Sequence, residues 1–306
     1  MQAACPICQG RHEQAHFGVR DGYDYYACAG CDSLYIDPTV LAKIDEGHTT
    51  REYDADYWNS EIASAHERAQ ADGLICAGET ILYTRRPVRR FLDVGAGPGY
   101  LLDELALRYP ARPDTFHAVE LFPPEERSQH PNYVVGDVGS LDGKFDAGVC
   151  IEVVEHLTPR MLDGLVAGLA KICNVNSAWL FNTGMPAYVR EQDPDYLDPK
   201  RRGHIVSYGL KALRRIFEPH GFRVLELPGK TFAFLVEYQA DFAPVAFDDR
   251  FYNPLPENLQ LMKEAPLVYI AAFESARSYF FQDESKRRAY WALGLQGQLE
   301  QLSLVR

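Results

Sequence analysis

No apolar run in these 306 residues approaches the roughly 20 needed to span a bilayer, and the chain does not open on a charged segment followed by an apolar stretch. A membrane span and a secretory signal are therefore not expected, and the chain reads as a cytoplasmic protein. Internal repeats and low-complexity tracts are also absent, so a repeat array is not expected. Basic residues are in the minority. Lys and Arg number 31 against 43 Asp and Glu, for a net charge of −12. An acidic surface repels phosphate backbones, so nucleic acid is not expected as a main partner. The densest basic cluster, Arg85, Arg86, Arg89 and Arg90, also fits a solvated helix end.

Cysteine is sparse and unevenly placed. Four of the seven form two pairs, Cys5-Pro-Ile-Cys8 and Cys28-Ala-Gly-Cys31, separated by nineteen residues. Two such pairs on tight turns supply four thiolates to one tetrahedral zinc, with no open position for chemistry. Residues 1–40 thus read as a zinc-ribbon module too small to fold without its metal. Residues 41–90 read as a polar helical linker that opens on the aromatic-acidic stretch YDADYW, and residues 241–306 as a C-terminal helical extension. Between them, apolar runs alternate with helical patterns, the mark of a parallel sheet with crossover helices. Strands are expected at 91–94, 116–120, 133–136, 145–151, 177–183, 222–227 and 232–238, and helices at 100–109, 159–173, 207–219 and 265–305.

The stretch FLDVGAGPG, residues 91–99, carries the strongest functional signal. A short apolar strand ends in Asp93, Gly95, Gly97 and Gly99 follow at alternate positions, and a helix comes next. Small residues are needed where a strand folds back into a helix and a ligand lies against the backbone. The spacing differs from the G-x-G-x-x-G of dinucleotide sites. A carboxylate two positions before the first glycine disfavours a pyrophosphate but not a cationic amino-acid head group. The next strand, FHAVE, ends in Glu120, where a carboxylate can accept both hydroxyls of a ribose. The third is followed by Asp137, where a carboxylate can accept from an adenine amino group.

In order, DVGAGPG, AVE, GDV and FDAGVCIEVVEHL make the chain resemble class I S-adenosylmethionine-dependent methyltransferases over about residues 75–240. The resemblance implies an α/β fold, a Rossmann-like, doubly wound sheet of seven strands whose last strand is antiparallel. It places S-adenosylmethionine against Asp93, Gly95, Gly97 and Gly99, with Glu120 and Leu121 at the ribose, Asp137 and Val138 at the adenine, and Ile151 near the methyl group. Zinc-ribbon modules precede methyltransferase domains in some bacterial enzymes of sugar and natural-product pathways. The sugar C-methyltransferases among them add a large third domain, whereas only about 65 residues follow the core here, which weakens that particular match.

Chemistry is expected after the fourth strand, in Ile151-Glu152-Val153-Val154-Glu155-His156. On a helical turn Glu152, Glu155 and His156 share one face, and His204 lies in a later loop at the same sheet edge. The segment is similar to the Glu-x-x-Glu-His of metal-dependent methyltransferases of ubiquinone biosynthesis and of small-RNA 3′ ends. That similarity implies a second divalent site at Glu152, Glu155, His156 and His204, for magnesium, manganese, iron or zinc. It would bind an acceptor hydroxyl and lower its pKa. Two other readings stay open: His156 as a general base without metal, and a purely structural role.

Acceptor contacts are expected from the long loop 184–206, read as a lid, through Tyr188, Arg190, Tyr196, Arg201 and Arg202, and from Tyr53, Tyr57 and Trp58 over the cleft. The leading expectation is methyl transfer to a small-molecule or sugar acceptor, at a hydroxyl oxygen. Alternatives are sugar C- or N-methylation, RNA modification with the ribbon as binding arm, and a non-catalytic zinc-ribbon scaffold. The stretch AAFESARSYFF in the extension can pack on the core or form a homodimer.

Overall fold

The structure is a computed structural model and describes residues 4–52 and 54–303, with side chains as far as 296. Tyr53 therefore lies outside the described residues. Three short strands open the chain: β1 (Gln14–Arg20), β2 (Tyr23–Cys28) and β3 (Leu34–Ile36). The β1–β2 turn is Asp21-Gly22, both with positive φ (51° and 85°), as tight hairpins of matching twist require. Helix α1 (Pro38–Asp45) starts at Asp37, whose side chain accepts from the Thr39 amide. Helix α2 (Ala55–Arg68) starts at Asp54, which accepts from the Tyr57 amide at 3.0 Å. It runs through a π-turn at residues 69–73 into α3 (Leu74–Tyr83).

Within residues 41–90, α2 buries only Tyr57, whereas α3 is a core helix. Every α3 residue except Ile75 is buried, because this helix lies between the main sheet and the C-terminal extension. The main sheet follows: β4 (Phe91–Val94), α4 (Tyr100–Arg108), β5 (Phe116–Glu120), β6 (Tyr133–Val135), β7 (Phe145–Ile151), α5 (Pro159–Ile172) and β8 (Cys173–Asn182). Next come α6 (Pro186–Glu191), the two-residue β9 (Val206–Ser207), α7 (Leu210–Phe217), β10 (Phe222–Glu226) and β11 (Ala233–Tyr238). The chain closes on α8 (Phe247–Tyr252), α9 (Pro256–Lys263) and α10 (Pro266–Ser303).

Seven strands form the main sheet in the order β10-β11-β8-β7-β4-β5-β6, with β11 antiparallel to both neighbours and the β4–β8 pairings parallel. The seven-stranded, doubly wound expectation is borne out, including the reversed last strand. The chain runs from β4 outward through β5 to β6, then returns to the other side of β4 with β7. That reversal opens a crevice at the carboxyl ends of β4 and β7, where α/β sheets bind ligands.

One sheet face carries α5 and α7, with Leu162, Val166, Leu213 and Phe217 in a core continuous with Ile36 and the four paired cysteines. The other carries α3, α4 and α10, with Ala77, Leu102 and Ala272. A Cβ at Gly78 would lie 2.6 Å from that of Ala272, so glycine lets α10 approach α3 closely. The stretch AAFESARSYFF therefore begins as core packing. Beyond it, Tyr290, Trp291 and Leu293 are exposed. A buried ion pair, Lys230 Nζ to both Glu79 oxygens at 2.6 Å, ties the β10–β11 turn to α3. Losing one partner of such a pair costs about 3–5 kcal/mol.

The second sheet departs from the sequence expectation. Its order is β1-β2-β3-β9, so the N-terminal module takes its fourth strand from the 184–206 loop and the residue after it. Leu34 pairs with Ser207 and Tyr35 with Val206. Helix α7 accordingly starts at Leu210 rather than 207, the intervening residues being engaged by the ribbon.

Candidate functional site

A cavity of about 330 Å³ opens at the carboxyl ends of β4 and β7, within the roughly 300–1,000 Å³ of small-molecule sites. Its floor is the turn after β4. Gly95, Gly97 and Gly99 have φ of 73°, 54° and 83°, a region that side chains with a Cβ avoid. Sterics reinforce the choice: a Cβ at Gly95 would sit 2.4 Å from Val153 Cγ2, and one at Gly97 would sit 3.2 Å from the Trp58 ring. Asp93, Gly95, Gly97 and Ile151 line the cavity. Burial, aided by the charge of Glu120, raises the Asp93 carboxyl to about 7.

The ribose and adenine positions expected from sequence lie outside this cavity. Both Glu120 oxygens accept backbone N–H groups at 2.8 Å, one from Gly97 and one from Phe122. Glu120 thereby clamps the glycine turn, and each oxygen keeps a second lone pair for a hydroxyl. Tyr133 also holds the turn, its hydroxyl donating to the Gly97 carbonyl at 2.5 Å. Asp137 caps the short helix 138–140 by accepting from the Gly139 amide at 2.7 Å. Leu121 is exposed and Val138 is buried. Gly99 is packed under Tyr133 and Ser128.

Helix α2 roofs the cavity with Tyr57, Trp58, Glu61 and Arg68. Tyr57, Glu61 and Arg68 recur at helical spacing on one face. Glu61 and Arg68 did not figure in the sequence expectations, although that spacing was legible. Of the expected acceptor contacts, Tyr57, Trp58, Arg201 and Arg202 line the cavity. Tyr188, Arg190 and Tyr196 do not line it. Tyr188 packs edge-on against Tyr196, the Tyr196 hydroxyl accepts from the Gly184 amide at 2.8 Å, and Arg190 pairs with Asp32 of the ribbon at 2.9 Å. Loop 184–206 is packed rather than lid-like, with Val189, Tyr196, Leu197 and Ile205 all buried.

The reacting-end segment forms no α-helical turn. Strand β7 ends at Ile151, Glu152 takes a left-handed φ of 53°, and residues 154–156 form a 3₁₀ turn. This geometry brings together Glu155, His156 and His204, with ligand atoms within 4.8 Å of one another, and leaves Glu152 outside the trio. Glu152 lines the cavity instead, its carboxyl held well above the usual range by burial and by Glu155.

Glu155 is fully buried. Its Oε2 accepts from the Thr183 hydroxyl at 2.8 Å, and its Oε1 has no hydrogen-bond partner. That orphaned oxygen lies 3.9 Å from His156 Nε2 and 3.7 Å from His204 Nε2. His204 Nδ1 donates to the Tyr196 carbonyl at 2.8 Å and His156 Nδ1 to the Gly203 carbonyl at 3.2 Å. The His204 bond puts that ring's proton on Nδ1 and leaves its Nε2 on the Glu155 side, as carbonyl-anchored metal-binding histidines do, and His156 Nε2 lies on the same side. Burial lowers the pKa of both imidazoles and raises that of Glu155. Two imidazole nitrogens and a carboxylate oxygen form a donor set that suits a divalent transition metal with open positions.

Cys5, Cys8, Cys28 and Cys31 also converge, all buried, with sulfurs within 4.8 Å of one another. The turns after each pair close through Gln9 N–H to the Cys5 carbonyl and Asp32 N–H to the Cys28 carbonyl, both 2.8 Å. A hydrogen bond from Cys5 pushes the Cys31 thiol down to about 5. Among the described residues, no helix is long and apolar enough to cross a membrane.

Comparison with known proteins bears on this geometry. A methyltransferase-domain family profile matches residues 57–227, more than half of the chain. No curated protein matches it in sequence. Among solved structures, an O-methyltransferase of neocarzinostatin biosynthesis, NcsB1, in complex with S-adenosylmethionine and 2-hydroxy-5-methyl naphthoic acid, is 16% identical with a TM-score of 0.44. That match covers 59% of this chain and 56% of NcsB1, so the chain spans little more than half of that enzyme. DesVI of Streptomyces venezuelae is 17% identical over 62% of this chain and all of DesVI, with a TM-score of 0.43. A SAM-dependent methyltransferase of Archaeoglobus fulgidus is 19% identical over 60% of this chain and all of its own, with a TM-score of 0.42. The ordered motifs, the strand order with its reversed last strand and the family match agree: this chain belongs to the methyltransferase-domain family.

Proposed function

We propose that the protein transfers the methyl group of S-adenosylmethionine to a hydroxyl oxygen of a small-molecule acceptor beside a divalent ion. The single observation that carries the metal is the buried, unpartnered Glu155 Oε1 facing two imidazole Nε2 atoms. An unpaired buried carboxylate oxygen costs stability, and a cation held by Glu155, His156 and His204 would remove that cost. The glycine turn and Asp93 suit the amino-acid end of the cofactor, with Glu120 and Asp137 left for its ribose and adenine. A bound divalent ion would supply Lewis acidity, lowering the acceptor hydroxyl's pKa. The protein's own part is orientation: Trp58 and Tyr57 would exclude water above the glycine turn, and Arg68 and Arg202 would draw in an acceptor bearing negative charge. In the four-cysteine site zinc fits the donor set, closed and structural. A sugar or a natural-product phenol would both satisfy this acceptor description.

A second reading keeps His156 as a general base without metal, favoured by its place on the cavity wall with Nδ1 committed to the Gly203 carbonyl. Thermal denaturation of zinc-loaded protein with added Mn²⁺ decides between them. At one hundred times its dissociation constant a ligand stabilises by about 2.7 kcal/mol. With an unfolding entropy of about 2.1 cal/mol/K per residue, that raises the midpoint by roughly 4 °C for a chain of this length. The shift is expected in the wild type and absent in His204→Ala. No shift in the wild type, or the same shift in the variant, defeats the metal and leaves His156 as base.

A further inference from the structure

The segment that carries His204 is held from both sides. On one side is the 3₁₀ turn of the reacting end: Ile205 N–H donates to the Glu155 carbonyl at 2.9 Å, His156 Nδ1 donates to the Gly203 carbonyl, and the Tyr208 hydroxyl donates to the Leu157 carbonyl at 2.8 Å. On the other side is the four-cysteine module. The Tyr25 hydroxyl donates to the His204 carbonyl at 2.8 Å. Ile36 N–H donates to the Ile205 carbonyl at 2.9 Å, and β3 pairs with β9 immediately beyond. Gly209 N–H donates to Ser33 Oγ at 3.0 Å, and Ser33 Oγ lies 3.4 Å from Cys31 Sγ. A Cβ at Gly209 would sit 2.1 Å from the Cys31 carbonyl oxygen, so the backbone of this segment rests directly on a cysteine turn. Tyr25 is itself fully buried.

These contacts have a direction. Loop 184–206 is long, and near His204 it bonds to itself at the Asp198 and Tyr196 carbonyls and, on the other side, to strands far away in sequence. From these contacts, we propose that the four-cysteine module is a positioning element for the reacting end, with Tyr25 as the residue that sets the backbone at His204. Metal in the cysteine cluster would then hold strand β3, on which that segment is laid, and a site far from the cysteines would depend on it. This rests on the reading of Glu155, His156 and His204 as the metal-binding reacting end. A plain structural cap would contribute stability without selecting one segment or one ligand.

The test compares wild type, Tyr25→Phe and Cys28→Ser as full-length, zinc-supplemented protein. Three quantities are measured: hydrogen exchange along the chain, Mn²⁺ affinity, and affinity for S-adenosylhomocysteine. Tyr25→Phe keeps the ring and removes only the bond to the His204 carbonyl. It is expected to speed exchange in residues 203–207 about tenfold and weaken Mn²⁺ binding by roughly tenfold, the lower end for loss of an outer-sphere support. Exchange in Phe145–Ile151 and S-adenosylhomocysteine affinity should stay within about twofold, since β7 draws its hydrogen bonds from β4 and β8 and not from the module's strands. Cys28→Ser should give larger effects in the same segment. Wild-type exchange at 203–207 in both variants overturns the proposal. So does acceleration spread evenly through the main sheet with loss of nucleoside binding, which makes the module a general cap. If the wild type binds no Mn²⁺, the metal reading fails by itself, and the exchange pattern alone decides whether the module positions His204.

Discussion

Asp93 offers a quantitative test of the proposed cofactor site. Its carboxyl is 4% exposed, and burial together with the Glu120 charge raises its pKa to about 7. Between an unfolded value near 3.9 and that folded value, the native chain holds a proton that the unfolded chain has released. Stability therefore falls as pH rises through this window, by about 4 kcal/mol in all at 1.36 kcal/mol per unit, and the loss levels off above pH 7. Binding of the cofactor should show the opposite trend. If the ionised carboxylate receives the cationic head group, only about one tenth of the free protein is competent at pH 6 and nearly all of it at pH 8. The apparent dissociation constant for S-adenosylhomocysteine should then be about tenfold larger at pH 6, with up to one proton released per ligand bound. Isothermal titration from pH 5.5 to 8.5, in buffers of differing ionisation heat, measures both quantities. Asp93→Asn should flatten the profile, bind weakly throughout, and remove the fall in stability. A wild-type affinity that does not vary between pH 5.5 and 7, or an unchanged slope in Asp93→Asn, refutes the assignment of Asp93 to the head group.

Two further substitutions test the backbone around the cavity. Gly95→Ala places a methyl 2.4 Å from Val153 Cγ2 at φ 73°, and should cost about 2–4 kcal/mol in urea unfolding. Adding Val153→Ala should recover the steric part of that loss and leave the conformational part. Glu152 holds φ 53° as a non-glycine residue, so Glu152→Gly should gain about 1 kcal/mol of stability. Turnover should fall while S-adenosylhomocysteine affinity stays within about twofold; a variant both destabilised and fully active contradicts a strained residue kept for function.

Much of the fold was legible because its signals are local. The strand endings at Asp93 and Glu120 and the alternating glycines each follow from residues within a few positions. The reacting end was half legible. Glu155 and His156 do lie together, but the expected α-helical turn put Glu152 in the same group. The left-handed turn at Glu152 sends its side chain to the cavity instead, and the 3₁₀ turn aims the next pair at His204. Tyr196 and Arg190 looked like acceptor contacts because polar and aromatic residues in a long loop resemble a lid. Packing against Thr183, Gly184 and the ribbon gives them other work.

Composition and local pattern were enough to determine a parallel α/β sheet, a glycine-lined crevice and two close-spaced cysteine pairs, since backbone sterics, alternation and chelate spacing act over a handful of residues. Only the tertiary structure decided that the ribbon takes its fourth strand from beyond His204, and that Tyr25 meets a carbonyl 179 positions away. Such pairings arise from which surfaces find each other once the core has closed, and neighbouring letters of the chain carry no record of them.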